Sequence, residues 1–284
     1  MKFKIWEEYG ALNSRPVFSA FKESVKSAGH VILDSVRTVD DADIHVIWSV
    51  LFHGRMSRNK DIWESCIRKN KPIIVLEVGG IQRGETWKVG LNGINRDAYF
   101  APKNNTNERS QQLGLKLRSW RDKGDHILIC GQHDKSLQWK SMPRMSEWVM
   151  TTIETIQKHT DLPIVFRPHP RCRLDAIERQ YQNVYRDDPI KLDNTYDDFN
   201  LSFKDCHAVI SWSSNPGPQA IIAGVPVFCG PSSLAYDVGN TDLSNINSPN
   251  KPNRQQWLND YAWTEYTIEE ISKGIPLKFL TSQL

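Results

Sequence analysis

The stretch HAVISWSSNPGPQAIIAGVPVFCG, His207 to Gly230, reads as one strand, a polar turn, a helix and a second strand. An apolar β-branched run (Ala208 to Ile210) stops at Ser211, Trp212, Ser213 and Ser214. A helix is expected over Gln219 to Ala223, a turn at Gly224, and a further strand at Val225 to Phe228. A short apolar strand feeding a helix and a neighbouring apolar strand is the unit from which parallel α/β sheets are built. Upstream, HILICGQ (His126 to Gln132), a helix near Pro143 to His159 and PIVFRPHP (Pro163 to Pro170) repeat the pattern, followed by a polar helical segment. The C-terminal TIEEISKG, Thr267 to Gly274, has helical spacing and a glycine stop.

The first half carries the same alternation. Strands are expected at Phe3 to Trp6, Val31 to Leu33, Ile44 to Trp48 and Pro72 to Val78, with helices near Pro16 to Ala28 and Arg58 to Lys69. Pro16 suits a first helical turn and Gly29 a helix end. From Gly79 to Asn107 runs a long Gly/Asn-rich stretch, expected as a functional loop because a mere connector is shorter. Two α/β halves follow, residues 1–118 and 119–284.

Bulk properties narrow the class without choosing a substrate. The 284 residues carry 36 basic and 33 acidic side chains, a net charge of +3, which neither demands nor excludes a polyanionic partner. Cys66, Cys130, Cys172, Cys206 and Cys229 form no CxxC pair, so reduced thiols are expected and no zinc knuckle. No apolar run approaches the roughly 20 residues of a membrane span, and a cytoplasmic location is expected. Asp40, Asp41 and Asp43 precede a strand, and Asp197 and Asp198 lie in an acidic segment, so neither group makes a DxD metal motif. No cofactor and no metal are expected.

Ligands of open α/β sheets bind at the carboxyl ends of the strands. Three such ends in the second half are polar: Gly131, Gln132, His133, Asp134 and Lys135; Arg167, Pro168, His169 and Pro170; Trp212, Ser213, Ser214 and Asn215. Paired serines before a helix place hydroxyls and backbone N–H groups where a phosphate is stabilised, and Arg167 and His169 add donors beside them. Helix capping by Ser213 or Ser214, and a rigid turn at His169, are the plain structural alternatives.

FRPHP (Phe166 to Pro170) followed by SWSSNPGPQAIIAGVPVFCGP (Ser211 to Pro231) resembles the paired HP and SS/ST motifs of bacterial sialyltransferases and capsule-type Kdo transferases. The resemblance runs from about residue 160 to the C-terminus and reaches the first half only by architecture. It implies an α/β protein of the GT-B fold, two facing Rossmann-like domains with a cleft between them, and a nucleotide-sugar donor. It further implies that His169, Ser213 and Ser214 hold the donor phosphate; Gln132 and Arg167 at the neighbouring strand ends and Gln219 on the following helix are further candidate donor contacts from their positions. Gln219 stands where many such enzymes carry an acidic ribose ligand, which leaves base and sugar open.

On that reading the acceptor and its general base come from the first half. A carboxylate at a strand end suits the reaction, which makes Glu8 and Glu77 the leading candidates. Glu7 and His53 stand behind them. Trp87, Asn92 and Asp97 in the Gly/Asn-rich stretch are candidate acceptor contacts, with Arg83 and Lys88 as nearby charges. The opening WEEYGALNSRPVFSAF, Trp6 to Phe21, resembles in general character the phage enzymes that glycosylate hydroxymethylated pyrimidines in DNA. The leading acceptor is therefore the hydroxymethyl group of 5-hydroxymethylcytosine. Basic clusters (Lys116, Arg118, Arg121, Lys123; Arg55, Arg58, Lys60) would meet phosphates, and Trp6, Trp48 or Trp87 would stack on a flipped base. The alternatives are a polysaccharide transferase using a CMP-linked sugar acid, a non-catalytic sugar-nucleotide-binding protein, and a two-Rossmann sugar-nucleotide epimerase.

Overall fold

The computed structural model describes residues 1–284 apart from Arg173, Tyr196 and Asp197. Asp197 of the acidic segment thus lies outside the described residues. The chain forms two compact units, one of residues 1–105, 135–137 and 262–284, the other of residues 106–134 and 138–261.

The first unit begins with β1 (Lys2–Ile5), α1 (Arg15–Ser27), β2 (Val31–Ile32), β3 (Ile44–Trp48), α2 (Asn59–Arg68) and β4 (Ile73–Val78). Helix α1 has Pro16 in its first turn, buries Val17, Phe18, Phe21 and Val25 along one stripe, and is followed by Gly29 at φ +73°. Strand β3 is buried at all five positions, as expected of a central parallel strand covered on both faces.

The stretch expected as a long loop contains a strand instead, β5 (Thr86–Leu91), antiparallel to β4. Trp87, Val89 and Leu91 alternate into the core below α1, a period of two that is strand behaviour, while Thr86 and Lys88 are buried on the other face. The glycines there serve packing: a Cβ at Gly90 would come within 2.4 Å of the Gly93 carbonyl oxygen.

The second unit follows as α3 (Glu108–Gln112), β6 (His126–Cys130), α4 (Met145–Gln157), β7 (Ile164–Arg167), β8 (Val184–Arg186), β9 (Cys206–Ser211), α5 (Pro216–Ile222), β10 (Val227–Phe228) and α6 (Gln255–Tyr261). Among the described residues its strands run β10-β9-β6-β7-β8, all parallel. Where a polar helical segment was expected after PIVFRPHP, the chain makes a 3-10 turn (Ile177–Gln180) and β8. Only isolated apolar residues, Ile177 and Val184, reach the core there, too few for a helical stripe.

The chain then returns to the first sheet. Strand β11 (Glu265–Thr267) pairs antiparallel with β5, and α7 (Ile268–Ser272) and α8 (Ile275–Thr281) pack on the same face as α1. Thr267 and Glu270 form a reciprocal capping box at the start of α7, and Gly274 turns the chain at φ +76° before α8. The first sheet thus reads β11-β5-β4-β3-β1-β2 among the described residues.

The units therefore divide after residue 105 rather than at the expected 118/119, and the last segment belongs with the first unit. Two contacts explain this. Tyr266 is completely buried in the first core, while the Arg118 N–H donates to the Ile222 carbonyl at 3.0 Å and ties the 106–121 stretch to the second unit.

Candidate functional site

In the second unit the carboxyl ends of β6, β7 and β9 lie side by side, since β6 pairs with both β7 and β9. Gln132, just past β6, is buried. Its Oε1 accepts from the Ser213 N–H and the Ser213 hydroxyl, both at 3.1 Å. The amide NH2 of Gln132 is left as the donor end of this pair. Ser211 and Ser214 join their hydroxyl oxygens at 2.9 Å. The structure thus gathers Gln132, Ser213 and Ser214 and adds Ser211, which is wholly buried.

His169 stands on the loop after β7. Its Nδ1 accepts the Arg171 N–H at 3.1 Å, which places the proton of the neutral ring on Nε2. The His133 ring meets it edge to face, with centroids 5.5 Å apart, and brings the β6 loop against the β7 loop. The Gly131 N–H donates to the Arg167 carbonyl at 2.9 Å, and a Cβ at Gly131 would lie 3.4 Å from the His169 nitrogen, so the two loops are in close contact.

Arg167 is turned elsewhere. Its Nη1 donates to Asp187 Oδ2 at 2.6 Å, and its Nη2 donates to both the carbonyl and the side-chain oxygen of Asn200. The guanidinium is buried and neutralised against the segment after β8, where it acts as a strut. The start of α5 also offers fewer backbone donors than the serine pair suggests. Pro216 and Pro218 carry no N–H, Gly217 donates to the Ser214 carbonyl and Gln219 to the Asn215 carbonyl. Gln219 is accordingly a residue of the helix backbone ladder with a half-buried side chain. What the bonded cluster at this end of the sheet presents is a set of hydroxyl, amide and imidazole groups.

The carboxyl ends of the first sheet carry a different chemistry. Glu77, near the end of β4, is half-buried; its Oε1 accepts the Val78 N–H at 2.8 Å and it is hydrogen-bonded by Ser49. Burial pushes the Glu77 carboxyl above the usual carboxylate range, against the pull of those hydrogen bonds and of Lys88 and Arg83. Ser49 follows β3 with φ 63°, a left-handed conformation that costs a non-glycine residue about 1–3 kcal/mol and is found at sites that need one side-chain direction. Lys88 lies opposite Glu77 on β5 and opposite Glu265 on β11, and is only 3% exposed. Desolvation holds the Lys88 ammonium below its ordinary range, opposed by the two carboxylates. Glu265 is fully buried and accepts from the Gly80 N–H (2.7 Å), the Ile81 N–H (3.0 Å) and the Thr86 hydroxyl (2.7 Å). Gly79 is required for this contact, because a Cβ there would come within 2.3 Å of Glu265 Oε2.

The other first-half candidates are not brought to this point. Glu8 is exposed on the 3-10 turn Glu7–Tyr9, where Glu7 pairs with Lys22 at 2.5 Å. His53 is exposed ahead of another 3-10 turn. Trp87 points to the opposite face of the sheet from Lys88 and packs against Trp48 with centroids 5.8 Å apart, so both indoles belong to the core. Asn92 bonds the Ile73 backbone in both directions (3.0 and 2.7 Å) at the amino end of β4, the far end from Glu77. Asp97 is exposed in the loop beyond it. Trp6 donates to His45 Nδ1 at 3.1 Å and stacks on Tyr9.

Of the basic residues, Arg121 is spent on the Phe203 and Cys206 carbonyls at 2.7 and 2.9 Å, while Lys116, Arg118 and Lys123 are exposed on a segment that is not helical. Sequence reasoning missed Glu265 and Ser211. Ser211 follows the strand's apolar run directly and was legible as a strand-end hydroxyl; nothing local marks Glu265, whose partners lie about 180 positions away. Among the described residues no three His, Cys, Asp or Glu side chains gather as a metal site would require, and no helix is long and apolar enough to cross a membrane.

No protein-family model matches the chain, and no curated protein matches it in sequence. Solved structures do resemble it. The beta Kdo 2,7 transferase KpsC of Thermosulfurimonas dismutans aligns over 98% of this chain and 99% of its own with a TM-score of 0.52 at 17% identity. The beta Kdo 2,4 transferase KpsC of the same organism aligns over 93% and 98% with a TM-score of 0.41 at 10% identity. MnaA of S. aureus, solved with UDP, aligns over 100% and 96% with a TM-score of 0.34 at 10% identity. The first likeness defines the fold: the chain is an α/β protein of the GT-B class with two Rossmann-like units, as the HP and SS motifs implied.

Proposed function

We propose that this protein is a glycosyltransferase that moves a sugar from a nucleotide-sugar donor to an acceptor hydroxyl. The donor unit is the second, the base comes from the first, and the donor of choice is a CMP-linked sugar acid of the Kdo type. The observation that carries this reading is the hydroxyl and imidazole cluster of Ser211, Ser213, Ser214, Gln132 and His169 at adjoining strand ends. Its support is the fold likeness to the Kdo transferase over nearly the whole chain. Neutral donors suit a phosphodiester that must be bound and then released as a more highly charged monophosphate, since they stabilise the developing charge without trapping the product.

In the reaction the acceptor oxygen bonds to the anomeric carbon while the bond from that carbon to the phosphate oxygen breaks. The nucleoside monophosphate leaves with the electron pair, held by the His169 Nε2–H and the serine hydroxyls. The acceptor proton passes to Glu77, whose proton affinity burial raises above that of an ordinary carboxylate. Glu77 is preferred over Glu8 because burial, a serine hydroxyl and a backbone N–H hold it, whereas Glu8 is exposed. No metal enters this scheme.

A saccharide hydroxyl is the preferred acceptor. The 5-hydroxymethylcytosine reading draws on the character of the opening segment, and in the folded chain its stacking candidates Trp48 and Trp87 are core residues and Arg121 is internally bonded. The test is to incubate the protein with CMP-Kdo, CMP-sialic acid and UDP-sugars, with and without Kdo-terminated saccharides or hydroxymethylcytosine duplex, and follow nucleotide release and acceptor mass. CMP release with a heavier saccharide is the expected result. A heavier nucleoside in digested DNA would replace the saccharide by DNA, and interconversion of UDP-sugars without an acceptor would replace transfer by epimerisation.

A further inference from the structure

The triad on the first sheet has a composition that packing alone does not call for. Register puts Glu77, Lys88 and Glu265 at directly opposed positions on three adjacent strands, hence on one face of the sheet. Burying a lysine between two glutamates is costly unless each charge is answered. Glu265 is answered by three donors and is fixed in place by the absence of a side chain at Gly79. Lys88 thereby has a counter-charge in Glu265, independently of Glu77. Glu77 is the carboxylate at the strand's carboxyl end, bonded to a serine in a strained backbone conformation.

Register decides which neighbour governs Glu77: Lys88 lies directly opposite it on the adjacent strand, Glu265 one strand further on, and Lys88 is the first of the charges that lower the Glu77 carboxyl. Arg83, from the connection between β4 and β5, adds to the attraction. Lys88 and Arg83 are the charged groups that act on Glu77, alongside the Ser49 hydroxyl and the Val78 N–H.

We propose that Lys88 is a positioning residue, anchored by Glu265 of the returning strand β11, that keeps the Glu77 carboxylate available as a proton acceptor. The role rests on Glu77 being the base proposed above. It also assigns a purpose to the C-terminal segment, which carries the anchor for the cation beside the base.

The two charges predict opposite displacements, which a merely structural role would not produce. Removing the cation in Lys88→Met disfavours the Glu77 carboxylate, so its titration midpoint rises. Removing the far anion in Glu265→Gln favours the carboxylate, so the midpoint falls by a smaller amount. Carboxyl NMR of the full chain labelled with 13C-glutamate reads both, with the Glu77 resonance assigned by its loss in Glu77→Gln. Lys88→Arg keeps the charge and should leave the midpoint near that of the unaltered protein; should Lys88→Met not fold, this variant and Glu265→Gln carry the test. Midpoints that stay put, or that move the same way in both charge-removing variants, overturn the proposal. Full donor turnover by Glu77→Gln would instead sink the assignment of Glu77 as base while leaving the titration pattern standing, so the two failures are told apart.

Discussion

The two sheets of this chain end in opposite chemistries. At the carboxyl ends of β6, β7 and β9 stand hydroxyls, an amide and an imidazole, bonded mostly to one another, with the nearby guanidinium of Arg167 drawn off by Asp187 and Asn200. At the carboxyl end of β4 stand buried charges, two glutamates about one lysine. On the proposed function the difference follows from what each end would hold. A phosphate brings its own charge and needs donors already in place; a proton acceptor must carry a charge itself and have its affinity set by its neighbours.

That contrast predicts which property each end loses when altered. The largest effect is expected for Glu77→Gln, which removes the proton acceptor: kcat should fall by about 10²–10⁴-fold while donor binding stays as it was. In a thermal melt at pH 7 the same variant should be at least as stable as the unaltered protein. The sign follows from burial, since the folded state raises the carboxyl's proton affinity, so an ionised Glu77 opposes folding as pH rises through its elevated midpoint. For the same reason the rate should fall as pH drops through that midpoint, with an acidic limb above the ordinary carboxylate range. A limb at or below that range would break the assignment of Glu77 as base.

His169→Ala should weaken the other end, with donor turnover down by about 10²–10³-fold and the melting temperature nearly unchanged. A variant that binds and turns over donor normally would remove His169 from the phosphate site. Arg167→Ala separates structure from binding within the same unit. Loss of its bonds to Asp187 and Asn200 should cost about 2–4 kcal/mol in denaturant unfolding, while affinity for CMP in the surviving folded fraction changes little. A large loss of CMP affinity with intact stability would return Arg167 to the phosphate. The smallest effect belongs to Ser213→Ala, which removes the hydroxyl bond to Gln132 Oε1 but keeps the bond from the Ser213 N–H, and should cost about 1 kcal/mol, with roughly tenfold weaker CMP binding.

Much of this was readable from the chain itself because the signals are local. Apolar runs such as IHVIW and HILIC are strands in either sheet, and Pro16 with Gly29 brackets a helix, since burial on both faces and backbone dihedral preferences act over a few residues. The strand-end hydroxyls and His169 were legible for the same reason, as polar residues directly after apolar runs. Arg167 and the glycines of the β5 region misled because their residue types suit a ligand as well as they suit a partner in the fold. Arg167 found Asp187 and Asn200, and Gly79 and Gly90 made room for Glu265 Oε2 and the Gly93 carbonyl.

The sequence by itself determined the strand and helix repertoire, the polar strand ends of the second sheet and the candidacy of Glu77, all of which depend on neighbours within a few positions. Only the tertiary structure decided that β11 joins β5, that Tyr266 and Glu265 complete the first unit, and that Lys88 is buried between two carboxylates. Those facts depend on pairing residues about 180 positions apart, where the free energy lies in burying a shared face and answering a buried charge; no local pattern of residues encodes either.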